Sequence, residues 1–341
     1  MADVSAERDG LIDGMPRDER GHWQPEGEKL PSPVFDWPPN PRKLAKYLFN
    51  YLFPWNLIYM LIAVLTVTFL QPEMSRMTRF SPDWILYLFA RNQVMLIAIV
   101  SAWHLWLWGR KSQGFQFKYT AEWMAKGKKK FLGKNQLLDN IFWSCVSGGT
   151  IWTAYEVVTL WAFANEYIPY LDPREHPVFF VLLLCAIQLW GQFHFYWTHR
   201  LLHWPPLYRA AHFLHHRNIN PGPWSGLSMH PLEHVIFFSG VLIHWIVPSH
   251  PIHAIMNGQL TAFSPAQAHA GFESIVVNGK SKLRGASYFH QLHHRYFECN
   301  YGGLDIPFDV WFGTSHNGSA EAHEKMRAKR FASHKVRTST A

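Results

Sequence analysis

Residues 177–203 read PVFFVLLLCAIQLWGQFHFYWTHRLLH, a run that begins as one kind of segment and ends as another. From Pro177 to Thr198 there are 22 residues without a formal charge. About 20 apolar residues suffice to cross the hydrocarbon core of a bilayer. His199 and His203 then follow at i and i+4, a spacing that puts two imidazoles on one helix face. A helix that spans the bilayer and delivers two histidines at its end predicts a membrane protein whose chemistry sits at the membrane boundary.

Three more apolar runs precede it: Tyr47 to Gln71, Trp84 to Trp108 interrupted by Arg91, and Ile141 to Asn165 containing Glu156. Only 16% of residues are charged, against about a quarter in soluble proteins, and aromatic rings are abundant, as at membrane interfaces. From residue 235 to 272 there is again no Asp, Glu, Lys or Arg, but Pro248, Pro251 and Pro265 divide the stretch. The piece before Pro248 is too short to span, so a short re-entrant helical hairpin is expected. The predicted fold is all-α: a polytopic membrane protein with about four transmembrane helices, this hairpin, and a cytoplasmic histidine-rich di-metal cap. No strand and no internal repeat is signalled. The chain divides into a polar N-terminal arm (1–46), two spans and a basic loop (47–139), a catalytic region (140–315) and a basic tail (316–341).

Charge sets the expected orientation. The segment RKLAK (42–46) precedes the first span, and the 110–139 loop holds Arg110, Lys111, Lys118, Lys126, Lys128, Lys129, Lys130 and Lys134. The intervening loops hold only Arg76 and Arg79, and Arg174. Basic segments stay cytoplasmic, which places both termini and the histidines on that side. The net charge of +8 follows from these flanks and not from a nucleic-acid motif, so no nucleic-acid partner is expected. The N-terminus has no apolar core of a signal peptide. Cys145, Cys185 and Cys299 make no disulfide framework.

Of 21 histidines, 15 lie between residues 194 and 294, so a chemical reason is needed. His212, His215 and His216 repeat the i, i+3, i+4 spacing of His290, His293 and His294, and each set is expected to form a three-nitrogen patch. With His199 and His203 that makes eight imidazoles. One metal ion rarely takes more than about six ligands, so eight suit two metals with about four each. His269 is a possible ninth ligand, and Glu273, one helical turn later, a possible carboxylate contact. His104, His176, His244, His250, His253, His316, His323 and His334 lack the spacing and read as structural.

Two other readings compete. His230, Glu233 and His234 in HPLEH match the H-x-x-E-H pattern of a zinc-dependent membrane peptidase, and Pro231 is tolerated in a first helical turn. That reading leaves the eight other histidines idle. The other is a non-catalytic lipid-binding or metal-transport protein; a transporter is expected to carry ionisable residues within its spans, where there are few besides Arg91, Glu156 and the histidines near the cytoplasmic end.

The stretches FYWTHRLLH, HFLHH, MHPLEH, FHQLHH and NYGGLDIPFDVWFGT resemble the fatty acid hydroxylase/sterol desaturase superfamily, over about residues 140 to 315. The resemblance implies an integral membrane oxidoreductase with two iron ions and O2 as co-substrate. It implies His199, His203, His212, His215, His216, His290, His293 and His294 as ligands, suggests His269 as a further one, and makes the HPLEH stretch a surrounding element. The substrate it implies is a sterol or fatty acyl lipid, with a slight lean to the sterol-desaturase branch. Desaturation and hydroxylation both begin with hydrogen abstraction, and the ligand motifs do not separate them. Zinc cannot supply the required oxidant, whereas a redox-active pair can. No nucleotide fingerprint is present, so electrons are expected from a carrier such as cytochrome b5 or ferredoxin with its reductase. One departure stands out: where many members carry an acidic residue, this chain reads GQFHFYW, with Gln192 and His194.

Overall fold

The computed structural model describes residues 11–26, 32–277, 279 and 281–328. A short antiparallel pair, β1 (Leu11–Ile12) and β2 (Met15–Pro16), comes first. The helices follow: α1 (Pro41–Tyr51), α2 (Leu57–Phe69), α3 (Pro82–His104), α4 (Gln136–Phe142), α5 (Thr150–Ala164) and α6 (Pro177–Leu202). Then come the short α7 (Pro205–Leu207) and α8 (Phe213–His216), followed by α9 (Pro231–Phe238) and α10 (Pro251–Ala268). The hairpin β3 (Ser274–Val277) and β4 (Ser281–Arg284) precedes α11 (Tyr288–Tyr296) and α12 (Phe308–Trp311). Local chemistry sets many starts. Prolines open α1, α3, α6, α9 and α10, where a missing N–H costs nothing. The Asn40 side chain accepts from the backbone N–H of Arg42 and Lys43, and Asn135 does the same for Leu137 and Leu138.

Among the described residues, three helices are long and apolar enough to cross a membrane: Pro41–Phe69, Pro82–Gly109 and Pro177–Leu202. Leu61, Val94, Val178 and Leu182 are each more than half exposed on them, an apolar surface suited to lipid and not to water. The expected fourth span differs. Residues 136–164 are helical throughout, with a wide turn at Trp143–Gly149 between α4 and α5, yet this run is not among the three. Its polar residues Asn140, Ser144, Ser147, Thr153 and Glu156 are buried against protein. Arg91 of α3 donates to Glu156 and to Gln71 Oε1 at 2.9 Å, and Asn92 Nδ2 donates to Glu156 Oε2 at 2.8 Å. The two charges that interrupt the apolar runs are therefore each other's partner.

The uncharged 235–272 stretch forms a helical hairpin, as expected, but its second arm is the centre of the protein. Fourteen of the eighteen residues of α10 are buried, and the helix packs on α2, α3, α5 and α6. Gly258 makes that packing possible: a Cβ there would lie 2.7 Å from Trp152 Nε1 of α5. The stretch lacks charge because it is surrounded by helices.

Strands do occur, contrary to expectation. β3 and β4 pair antiparallel in the register Ser274↔Arg284 to Val277↔Ser281. The sequence SIVVNGKSKLR carries an Asn-Gly hairpin signal between two short runs. The described residues 11–26 of the N-terminal arm pack on the protein. Trp23 is buried with Phe117 and Tyr119, and Arg17 donates to the carbonyls of Phe115 and Lys118. Helix α1 begins at Pro41, inside the segment read as arm. In the basic loop, Lys118 is fully buried; its ammonium donates to Thr120 and lies 4.2 Å from the Trp108 ring centroid. Burial pulls its pKa well below the usual lysine value. Lys130 donates to the Arg217 carbonyl and Arg217 pairs with Asp139, which fastens the loop to the histidine-bearing cap. The last part of the basic tail, including His334, lies outside the described residues.

Candidate metal centre

Nine histidines converge in two groups. His199, His203, His212, His216 and His293 form one; His215, His269, His290 and His294 form the other. All but His203 are buried. His199 sits in the last turn of α6, with His203 capping it. His269 follows α10, whose interior Pro265 offers its carbonyl to both the backbone N–H and Nδ1 of His269. All nine expected ligands are brought together, but the two H-x-x-H-H sets do not act as single patches. His212 and His216 go to the first group and His215 to the second, whereas His290 and His294 go to the second and His293 to the first. On a helix, i and i+4 are separated by about 40°, whereas adjacent residues are about 100° apart. Each motif therefore straddles both groups.

The nitrogens within a group are in mutual contact. His203 Nε2 lies 3.2 Å from His293 Nε2 and 3.1 Å from His212 Nε2, and His216 Nε2 is 3.0 Å from both His212 Nε2 and His293 Nε2. In the second group, His269 Nε2 is 2.9, 3.0 and 3.3 Å from those of His290, His294 and His215. Tautomers follow from the other ring edge. His199 Nδ1 donates to the Tyr301 carbonyl and His293 Nδ1 to the Cys299 carbonyl, both at 2.6 Å; His212 Nδ1 donates to Glu233 Oε1 at 2.7 Å. A carbonyl can only accept, so those rings, and His269, carry their proton on Nδ1 and turn a bare Nε2 lone pair inward. Burial and neighbouring imidazoles hold His203, His215, His216, His290, His293 and His294 well below the usual histidine pKa. Inward lone pairs about 3 Å apart repel unless a cation lies between them. A metal–imidazole bond of about 2.1 Å puts neighbouring ligand nitrogens roughly 3.0–3.4 Å apart, so the residues present fit two metal ions.

The remaining expected residues fall elsewhere. Glu233 supports His212, as the resemblance implied. His230 and His234 do not converge, which removes the peptidase reading of HPLEH. His230 Nδ1 caps α9 by accepting from the Leu232 N–H; His234 Nδ1 accepts from Ser147 Oγ at 2.8 Å, and its Nε2 donates to the Leu227 carbonyl at 3.1 Å. With both nitrogens engaged, His234 is not a ligand. Glu273 accepts from the Tyr119 hydroxyl and stands away from both groups. His194 contacts Ser239 Oγ at 2.9 Å, and with Gln192 it lines a cavity and supports no ring of the cluster.

What residue types did not reveal is how NYGG works. Asp309 accepts from the N–H groups of Tyr301 and Gly302 and from the Thr314 hydroxyl. Asn300, at φ 56°, donates to the carbonyls of Phe289 and His316. These bonds hold the 299–302 loop so that the Cys299 and Tyr301 carbonyls reach His293 and His199. The sequence offers only a general turn cue here, Asn300 shortly ahead of Gly302 and Gly303, which does not say which carbonyls the loop aims.

Both groups face a cavity of about 670 Å³. Its lining includes His199, His212, His215, His269 and His290 together with Tyr59, Ile187, Phe195, Phe237 and Leu260.

Residues 183–314 match the fatty acid hydroxylase family, a segment that includes all nine histidines. This histidine-bearing segment is of the fatty acid hydroxylase/sterol desaturase type. It is 29% identical over 162 residues to the Delta(7)-sterol 5(6)-desaturase erg3C of Aspergillus fumigatus, covering 40% of this chain and 49% of that protein. It is 30% identical over 142 residues to the methylsterol monooxygenase erg25A of the same species, covering 40% of this chain and 46% of that protein. Against the Delta(7)-sterol-C5(6)-desaturase of Nicotiana tabacum, identity is 33% over 141 residues, covering 40% and 50%. The chain thus spans about half the length of the curated relatives it matches. No solved structure matches it.

Proposed function

We propose that this chain is an O2-dependent lipid oxidase that hydroxylates or desaturates a membrane sterol or acyl chain, using two irons held by the nine histidines. The observation that carries this reading is the cavity: a chamber lined both by apolar side chains and by members of both histidine groups. Bound iron would supply the oxidising power, drawn from O2, that an unactivated C–H bond demands. The protein's own contribution is placement. The carbonyls of Tyr301, Cys299 and Pro265 and the Glu233 carboxylate fix ring orientation and raise imidazole basicity. Phe195, Phe237, Tyr59 and Leu260 grip an apolar substrate and keep water from its reacting carbon. A volume of about 670 Å³ lies in the usual range of small-molecule sites, about 300–1,000 Å³. The sterol-acting relatives support a sterol or related lipid. The cap packs against the basic loop, which favours a cytoplasmic active site and electron delivery by a carrier such as cytochrome b5 or ferredoxin with its reductase.

The test is stoichiometric and atmospheric. Protein produced with ample iron is expected to bind one metal per group, two per chain, and to form product only when O2 and a reductant are both present. Product formed under strict anaerobiosis, or folded protein that takes up no ferrous iron, overturns the proposal.

A further inference from the structure

The cavity lining combines buried and exposed residues that differ in chemistry. His199, His212, His215, His269 and His290 in it are buried, whereas Asn50, Phe53, Lys282 and Arg284 are exposed, with Asp305 also in the lining. The exposed residues mark its opening. Lys282 and Arg284 are i and i+2 on β4, so they leave the hairpin on the same face. The Trp55 indole N–H donates to the Arg284 carbonyl at 2.9 Å, which ties the hairpin to the turn between α1 and α2. The pair therefore stands beside the Leu52–Asn56 turn that joins α1 to α2.

The charges at this opening are unequal. Asp305 already accepts from the Tyr47 hydroxyl at 3.0 Å. Lys282 rests 4.4 Å from the Phe117 ring centroid, and among the described residues neither Lys282 nor Arg284 has an acidic partner within ion-pair distance. A neutral sterol hydroxyl can accept a hydrogen bond from one of these cations but leaves the charge of both uncompensated. A phosphate or carboxylate would answer both, with charge-assisted hydrogen bonds.

We infer that the cavity selects a lipid with an anionic headgroup, held at the opening by Lys282 and Arg284 while its apolar chain runs inward to the histidines. What then happens to the chain rests on the oxidase reading; the binding preference does not. Photo-crosslinking in nanodiscs tests it without turnover. Full-length protein in phosphatidylcholine discs is offered equal amounts of a diazirine-bearing phosphatidate and a diazirine-bearing cholesterol, and labels on Tyr59, Phe195 and Leu260 are counted by mass spectrometry. The anionic probe is expected to dominate by about tenfold, and K282Q/R284Q to bring the two near parity at unchanged metal content. Equal or greater labelling by cholesterol in the wild type overturns the inference. So does an unchanged ratio in the double variant, or a variant that loses only adsorption to anionic vesicles, because the pair would then merely anchor the hairpin. Each of these results leaves metal content and O2 dependence as they were, so the oxidase reading is judged separately.

Discussion

Replacing His215 or His293 by alanine, one residue from each group, is expected to lower lipid oxidation by at least about a hundredfold and to release about one metal per chain. Both imidazoles are fully buried, and each group crosses between chain segments: His293 of α11 contacts His203 beyond α6 and His216 of α8, and His215 of α8 contacts His269 beyond α10. Loss of one ring opens a coordination position that no nearby side chain fills. Glu233→Gln gives a graded comparison. It keeps a hydrogen-bond acceptor on His212 Nδ1 but removes the charge that raises the ring's basicity, so metal affinity should fall by about 10–100-fold without disappearing. Metal content, activity and membrane insertion are measured together. An alanine variant that inserts normally and keeps full activity would exclude its histidine from the centre. A Glu233→Gln protein with wild-type metal affinity would reduce the carboxylate to packing.

Glu156→Ala is expected to destabilise the protein by about 3–5 kcal/mol, because it strands a buried guanidinium. Arg91 and Glu156 are 3% and 5% exposed, and their network reaches Asn92, Thr153 and Gln71. The cost comes from breaking the pair more than from losing its attraction. Replacing both partners by methionine should therefore restore much of the loss. Thermal unfolding in detergent, followed by tryptophan fluorescence, separates the cases. If the single and double variants unfold together, the pair contributes through packing alone.

These residues also show how far sequence carried the fold. The long apolar runs of α2, α3 and α6 were legible because lipid-facing helices must be apolar on nearly every side. The same absence of charge in α10 was ambiguous, since a helix enclosed by protein looks like one enclosed by lipid. Its place at the centre depends on long-range contacts that no local pattern encodes. Residues 136–164 failed in the opposite direction: Glu156 looked like a blemish in a span, and its meaning appeared only with Arg91, 65 positions away. The nine histidines were legible because helical spacing is local. Their division into five and four was less so, since it requires knowing how four segments face one another. The supporting carbonyls of Cys299 and Tyr301 were beyond reach, because every residue has a carbonyl and only the loop's shape aims these two.

Helix α6 has a mechanical consequence. Its 26 residues make a rod about 39 Å long, whereas the hydrocarbon core is about 30 Å thick. Only 6% of its most apolar window is buried by the rest of the protein, so much of its surface is left to lipid even though it packs on α10. The rod ends in His199 and His203. A thinner bilayer that tilts α6 swings two ligands of the five-histidine group, while the other three are carried by α8, its preceding turn and α11. Bilayer thickness is therefore expected to couple to the geometry of the candidate centre, with the membrane as a tuning element. Turnover in vesicles of increasing acyl length should pass through an optimum that is absent from detergent micelles; a flat profile would mean that the cap holds the end of α6 rigidly against the lipid's pull.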